Sequence, residues 1–167
     1  MNIATVKYND IANGDGVRIS IFVSGCRNHC LNCFNKELWD FDYGSTYTSD
    51  IENDIITHLS HSYISGISLL GGDPLEPENK SMLTNLCKKV KKQFPTKTIW
   101  CYTGYLFKDI ENEELIKYVD VLVDGKFIDS LKNISLKFKG SSNQRIIDVA
   151  QSLKQNKIIL KDYKDNE

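Results

Sequence analysis

Residues 17–33, V-R-I-S-I-F-V-S-G-C-R-N-H-C-L-N-C, decide how this chain folds. The first eight are mostly apolar or β-branched, and they predict a strand. The rest form a loop that holds three cysteines in the spacing C-x3-C-x2-C. Because sites in α/β folds lie at the carboxyl ends of strands, this order of strand and loop predicts a functional site at that end.

Strand and helix patterns alternate along the rest of the chain. Strands are predicted over residues 66–70, 98–102 and 119–124, and helices over residues 49–61, 79–94 and 109–117. This rhythm indicates βαβ units around a parallel sheet. The 167 residues are too few for a full eight-unit barrel, which takes ~250 residues. We therefore expect a single α/β domain over residues 1–167, built as a partial, open (β/α) barrel with a mainly parallel sheet.

Local signals add detail to this outline. Ser49 and Glu52 match a capping box, which predicts that the first helix begins there. Met82, Leu83 and Val90 fall on one face of the second helix, the face expected to enter the core. The residues from 126 onward show no clear pattern, and we expect the charged tail from about residue 161 to fray.

Composition narrows the class of protein. The formal net charge is −1, so the chain lacks the basic field that nucleic acid or an anionic membrane surface requires, and neither is an expected partner. No apolar run approaches the ~20 residues of a membrane span, and the first residues lack the features of a secretion signal. We therefore expect a cytoplasmic protein, in which clustered cysteines are more often metal ligands than disulfides.

The three clustered cysteines, Cys26, Cys30 and Cys33, are candidate ligands of an iron–sulfur cluster, because thiolates suit iron. Three ligands leave one iron open for chemistry, by the logic that leaves a catalytic zinc one position short. A structural zinc site is the alternative, but it normally uses four ligands. Cys30 and Cys33 form the only C-x2-C pair, and His29 is the nearest candidate for a fourth ligand.

A second loop is predicted at the same end of the sheet. Gly71-Gly72-Asp73-Pro74 follows the strand at 66–70, and glycines allow the backbone to approach a ligand closely. A plain turn before the next helix is the alternative interpretation. The two remaining cysteines, Cys87 and Cys101, fall on an apolar helix face and in a strand, so we interpret them as core residues.

The cysteine motif resembles that of the radical S-adenosylmethionine superfamily. Seven stretches, in chain order over about residues 10 to 148, resemble one family within it, the anaerobic ribonucleoside-triphosphate reductase-activating proteins. The stretches are N-G-D-G-V-R at 13–18, F-V-S-G-C at 22–26, C-F-N-K at 33–36 followed by Trp39, S-L-L-G-G-D-P-L at 68–75, I-W and Y-T-G-Y within 99–105, V-L-V-D-G-K-F at 121–127 and K-G-S-S-N-Q-R at 139–145. Lys139 departs from the arginine expected at the start of the last stretch.

The resemblance implies that Cys26, Cys30 and Cys33 hold one [4Fe–4S] cluster, whose free iron binds S-adenosylmethionine. One electron then cleaves that molecule, and the resulting 5′-deoxyadenosyl radical takes a hydrogen from a glycine of the partner reductase. The resemblance also implies a reduced flavodoxin-like electron donor. The candidate contacts to S-adenosylmethionine are Asn32, Cys33, Phe34, Gly71, Gly72 and Asp73.

Other functions stay open at this point. Within the superfamily, the chain could activate another glycyl-radical enzyme such as a formate lyase, or modify a small molecule. Outside it, the cysteines could belong to a zinc-binding interaction module without catalysis. The short length and the stretch Gly-Ser-Ser-Asn-Gln favour the reductase. Trp39, Phe41 and Tyr43 are candidates for a docking surface, since aromatic residues are enriched at protein interfaces.

Overall fold

A computed structural model of the chain describes residues 1–163. One sheet has seven strands, β1 Asn2–Asp10, β2 Val17–Val23, β3 Ser45–Thr46, β4 Ile64–Gly71, β5 Thr98–Tyr102, β6 Val121–Asp124 and β7 Arg145–Asp148. The α-helices are α1 Ser49–Leu59, α2 Pro77–Gln93, α3 Phe107–Ile110 and α4 Val149–Gln155. Short 3-10 helices span Lys36–Trp39, Glu114–Tyr118 and Asp129–Leu131.

The sheet is mixed, with strand order β3-β1-β2-β4-β5-β6-β7. The central pairs β2–β4, β4–β5 and β5–β6 are parallel, as the sequence predicts. The outer pairs β1–β2, β1–β3 and β6–β7 are antiparallel, so the expectation of a mainly parallel sheet is met only in the centre. A partial barrel is not confirmed. The βαβ rhythm describes only strands joined by helices, whereas β1 reaches β2 through a short loop, which antiparallel pairing permits.

The larger core lies between one face of the sheet and the helices α1 and α2. Alternate residues of the central strands point into it, as the period of two in a strand requires. Members of this cluster include Ile19, Ile21, Ile67, Leu69, Ile99 and Leu122 from the strands, Ile55 and Leu59 from α1, and Leu83, Leu86 and Val90 from α2. Cys87 and Cys101 are fully buried in the same cluster, which confirms their interpretation as core residues.

The opposite face of the sheet buries a guanidinium group. Arg18 donates hydrogen bonds to Ser68 Oγ at 2.8 Å and to the carbonyl oxygens of Ile67 and Thr98 at 2.7 Å each. Gly14 has φ +123°, and a Cβ there would lie 2.8–2.9 Å from Arg18 and Trp100 side-chain atoms. The stretch N-G-D-G-V-R therefore has a structural role, because it packs at the amino ends of the central strands.

Several local predictions are wrong. The first helix is capped by Thr48, whose side chain accepts from the Ile51 N–H, and not by Ser49. Glu52 does not complete a capping box, because its carboxylate accepts a hydrogen bond from the Tyr47 hydroxyl at 3.0 Å and pairs with Lys89. The capping box does not form because the Glu52 carboxylate, which would complete it, pairs with Lys89 of α2 instead.

Two further sequence-based expectations, the burial of Met82 and the helix at 109–117, also differ from the structure. Met82 lies on the exposed side of α2 and not in the core. The predicted helix at 109–117 is replaced by α3 and the 3-10 helix Glu114–Tyr118, since the chain turns between them.

The tail that the sequence predicts to fray lies partly outside the described residues. Within them, the Lys161 N–H donates to the Ile146 carbonyl at 2.8 Å, and the Tyr163 ring lies 5.6 Å from that of Trp100. These two residues are therefore packed against the sheet. Across residues 1–163, none of the helices combines the length and the apolar character that a membrane crossing needs.

Candidate iron–sulfur site

The loops that follow β2 and β4 meet at one edge of the sheet, as their position after parallel strands predicts. The Gly72 N–H donates to the Val23 carbonyl at 2.7 Å, and the Asp73 N–H donates to the Gly25 carbonyl at 2.8 Å. These bonds extend the β2–β4 pairing beyond the strand ends. The loops after β5 and β6 complete the same edge, so four loops surround one site.

A cavity of about 160 Å³ lies between these loops. Its lining includes the three thiols together with residues from each of the other loops, among them Cys26, Cys30, Cys33, Gly72, Gly104 and Gly125. Within residues 1–163, no three His, Cys, Asp or Glu side chains lie close enough to hold a single metal ion. All three clustered cysteines border the same space.

Burial favours the protonated form of two of the clustered thiols, Cys26 and Cys30. All five cysteines, which lie within the described residues, are free thiols. Burial raises the pKa of Cys26 to about 11. Burial also raises the pKa of Cys30, against the opposing effect of the Phe127 backbone N–H. Iron binding therefore has to displace protons, as it does at other thiolate sites.

Two left-handed residues shape the cysteine loop. His29 has φ +46° and Asn32 has φ +53°, so each reverses the chain between a pair of cysteines. The His29 ring stacks on Trp39 at 4.5 Å between centroids, and His29 is absent from the lining of the cavity. Because the His29 ring packs on Trp39 and does not line the cavity, the structure does not support His29 as a fourth zinc ligand.

A buried carboxylate joins the loops. Asp73 Oδ2 accepts hydrogen bonds from Asn28 Nδ2 at 2.8 Å and from the Gly104 N–H at 2.9 Å. Asp73 Oδ1 accepts from the Leu75 N–H at 3.0 Å and from Thr103 Oγ1 at 2.8 Å. Both oxygens are occupied by donors of the protein, so this geometry favours a positioning role for Asp73 over a direct contact of its carboxylate with a cofactor.

A second carboxylate holds the start of the cysteine loop. Glu76 is fully buried, and it accepts hydrogen bonds from the Arg27 backbone N–H at 2.8 Å and from Arg27 Nη1 at 2.5 Å. The same guanidinium donates to Glu78 at 2.5 Å on the first turn of α2. The sequence gives no local signal for these links, because the partners lie about fifty positions apart.

The stretch G-S-S-N-Q forms a turn beneath the cavity. Gln144 Oε1 accepts from the Gly140 and Ser141 N–H groups at 2.9 and 3.2 Å, and Gln144 Nε2 donates to the Gly125 carbonyl at 3.0 Å. Gln144 also lines the cavity. The stretch thus positions the loop after β6, a role that the sequence alone does not reveal.

The candidate cofactor contacts separate into two groups. Gly71, Gly72 and Asp73 line the cavity beside the cysteines. Asn32 is exposed and donates to Asp129 Oδ2 at 2.8 Å, and Phe34 packs 5.1 Å from the Phe127 ring. Phe34 lines a neighbouring groove of about 540 Å³, so neither Asn32 nor Phe34 borders the thiol cavity itself.

Two buried polar atoms have no hydrogen-bond partner among the described residues. They are Trp39 Nε1 and the Tyr102 hydroxyl, and both residues line the thiol cavity. Burial raises the pKa of Tyr102, so its hydroxyl keeps its proton and can donate. A buried polar atom without a hydrogen-bond partner lowers the free energy of unfolding by about 1–3 kcal/mol. Sequence reasoning missed Tyr102 as a site residue, although its position at the end of β5 is a signal.

Comparison with known proteins agrees with this site. Residues 12–147 match a family model described as a 4Fe-4S single cluster domain. Fold and site therefore define a protein of the single-cluster iron–sulfur class.

Three similar proteins carry the name anaerobic ribonucleoside-triphosphate reductase-activating protein. The protein of Enterobacteria phage T4 is 43% identical over 146 residues, which cover 87% of this chain and 93% of the relative. The protein of Vibrio cholerae is 42% identical over 141 residues, which cover 82% of this chain and 91% of the relative. The protein of Escherichia coli K12 is 42% identical over 139 residues, which cover 81% of this chain and 90% of the relative. The chain belongs to the family of anaerobic ribonucleoside-triphosphate reductase-activating proteins.

Proposed function

We propose that this chain activates an anaerobic ribonucleoside-triphosphate reductase by reductive cleavage of S-adenosylmethionine at a [4Fe–4S] cluster. The observation that carries this proposal is the arrangement of three thiols around one cavity, at the edge where the Gly71–Gly72 backbone ends β4. Family membership and the names of the relatives support the reductase as the protein substrate.

The donor set fits the cluster. Three thiolates suit iron and leave one position for a second ligand. When bound, the cluster supplies the electron that splits S-adenosylmethionine into methionine and a 5′-deoxyadenosyl radical, which abstracts hydrogen from the partner's glycine. The chain's own task is to hold Cys26, Cys30 and Cys33 in place. Asp73 and Glu76 do so by fixing Asn28 and Arg27 of the cysteine loop.

The cavity also offers groups for S-adenosylmethionine. The Gly71–Gly72 backbone approaches the cavity without side chains, which suits the charged amino acid end of the molecule. The unpartnered Tyr102 hydroxyl and Trp39 Nε1 are donors for its polar atoms. Phe34, in the neighbouring groove, is the proposed packing partner of the adenine ring, and Asn32 holds the same part of the loop through its hydrogen bond to Asp129.

The electron comes from outside the chain, since no other cysteine lies in this site: Cys87 and Cys101 are buried in the core. A reduced flavodoxin-like protein is the proposed donor, by family resemblance, and a reducing cytoplasm is the proposed location.

A cysteine substitution series tests the proposal. Cys30→Ala should lose bound iron, S-adenosylmethionine cleavage and glycyl radical formation in anaerobic assays with the reductase, while the fold persists. Cys87→Ala is the matched control, and it should keep iron and activity because that thiol lies in the core. Stoichiometric zinc in a colourless protein would refute the cluster. A glycyl radical formed with a formate lyase but not with the reductase would refute the substrate.

A further inference from the structure

Exposed apolar side chains gather around the mouth of the thiol cavity. Twelve large apolar side chains are exposed among the described residues, and six of them lie within residues 24–35, 103–106 and 125–144, in the loops that follow β2, β5 and β6. Leu31 is 75% exposed and Ile134 is 89% exposed. Phe34 is one of the six and is a candidate cofactor contact. The other five are called the apolar rim: Leu31, Leu106, Ile128, Leu131 and Ile134.

The apolar rim is continuous with the site. Leu106 and Ile128 line a depression of about 530 Å³, which shares three of its lining residues with the thiol cavity. The 2.8 Å hydrogen bond from Asn32 to Asp129 holds the cysteine loop against the segment that carries Ile128. Ile134 lines the groove of Phe34, which shares five of its lining residues with the thiol cavity. Exposed apolar side chains grouped around a cavity are typical of an interaction site.

The same surface is basic. Residues 126–139 contain four lysines and one aspartate, a net charge of +3, whereas the whole chain has a net charge of −1. The Lys132 ammonium group lies 4.7 Å from the centroid of the Phe34 ring. Lys126 lines the same depression as Leu106 and Ile128. Positive charge is therefore concentrated at the cavity mouth of a chain that is otherwise slightly acidic.

We infer that the apolar rim and the lysines of residues 126–139 form the surface on which the reductase docks. The matching surface of the reductase is apolar and bordered by Asp and Glu, close to its reactive glycine. This inference rests on the proposed function, because the partner's glycine must come to the mouth of the cavity. Charge disfavours a second copy of this chain as the occupant, since two basic rims would repel each other.

The test uses the full chain, loaded with its cluster without oxygen, and the double variant Ile128→Asp with Leu131→Asp, at two rim residues that line neither the thiol cavity nor the groove of Phe34. The control is Ile11→Asp. Ile11 is 73% exposed and lies in the loop before β2, at the opposite end of that strand from the cysteines. We expect reductase affinity, measured by analytical ultracentrifugation, and glycyl radical yield to fall about tenfold or more in the double variant. Reductant-driven cleavage of S-adenosylmethionine without reductase should match the wild type.

The outcomes separate the alternatives. Unchanged reductase binding by the double variant overturns the docking surface, and so does a loss confined to self-association, which assigns the rim to a second copy. Lost cleavage without reductase overturns it too, because the surface then serves the cofactor. Lys132→Glu is a second variant with little risk to folding, and it should weaken binding and flatten its salt dependence. Failure of the proposed function looks different, since the loaded wild type then forms no glycyl radical.

Discussion

The buried carboxylate of Asp73 accepts a hydrogen bond of 2.8 Å from the side-chain amide of Asn28, which also lies 3.6 Å from Cys26 Sγ. One contact thus joins the loop after β4 to the cysteine loop. Asn28 has room to reach both partners because residue 104 is glycine. A Cβ at that position would lie 2.5 Å from the Asn28 amide nitrogen.

Asp73→Asn should destabilise the protein and reduce its iron content. An amide has one acceptor oxygen, so its NH2 group would face donors such as the Leu75 N–H or the Gly104 N–H. Each buried donor left without an acceptor costs about 1–3 kcal/mol of the free energy of unfolding. Anaerobic urea titration and iron analysis measure the two effects. Asp42→Asn, at an exposed aspartate, is the control and should change neither quantity. Wild-type stability and iron content in the Asp73 variant would show that the carboxylate does not organise the site.

The same carboxylate should make stability depend on pH. Burial raises the pKa of Asp73 to about 6 from an ordinary 3.8. The folded state then holds the proton more tightly than the unfolded chain, so this contribution is complete below the unfolded pKa and is lost as pH rises through about 6. Between pH 5 and 7 the wild type should lose about 1 kcal/mol more stability than Asp73→Asn. Parallel urea titrations at pH 5, 6 and 7 measure the difference, and equal slopes would contradict it.

The sequence predicts the central strands and the candidate cysteine ligands because their signals are local. Residues 17–23, 64–71 and 98–102 are buried on both faces and read as short apolar runs, as parallel strands do. The sequence analysis does not predict strand β1. Its alternation of Ala4, Val6 and Tyr8 with polar residues is a period-two signal, but the overall polarity of the segment hides it.

The rest depends on partners that are distant in the sequence. The four-residue strand β7 exists by pairing with β6, and such a short segment shows no period of its own. Asn28 and Tyr102 likewise gain their roles from residues that folding brings near them. Positions of hydrogen-bond partners about fifty residues apart cannot be deduced from local patterns, so sequence reasoning finds the candidate ligands of this site but not the residues that position them.

Arg18→Lys should destabilise the fold without reducing the iron content of the thiol site. The guanidinium makes hydrogen bonds to Ser68 Oγ and to the Ile67 and Thr98 carbonyls, and an ammonium group cannot reproduce this fork. The buried acceptors left unpaired should lower the free energy of unfolding by about 2–4 kcal/mol. Lys154→Arg, at an exposed position of α4, is the control. Iron content per folded chain should be unchanged, because Arg18 lies at the end of β2 opposite to the cysteines. Loss of iron from folded protein would contradict this separation.

Tyr102→Phe should weaken cofactor binding without weakening the fold. The hydroxyl is buried beside the thiols and has no partner among the described residues, so its removal should leave the free energy of unfolding unchanged or raise it by about 1 kcal/mol. If the hydroxyl donates to a charged group of S-adenosylmethionine, its loss should cost about tenfold in affinity. Anaerobic calorimetry on cluster-loaded protein measures that affinity, and Tyr63→Phe, at an exposed tyrosine, should match the wild type. Full affinity together with lower stability in Tyr102→Phe would show that the hydroxyl serves the fold and not the ligand.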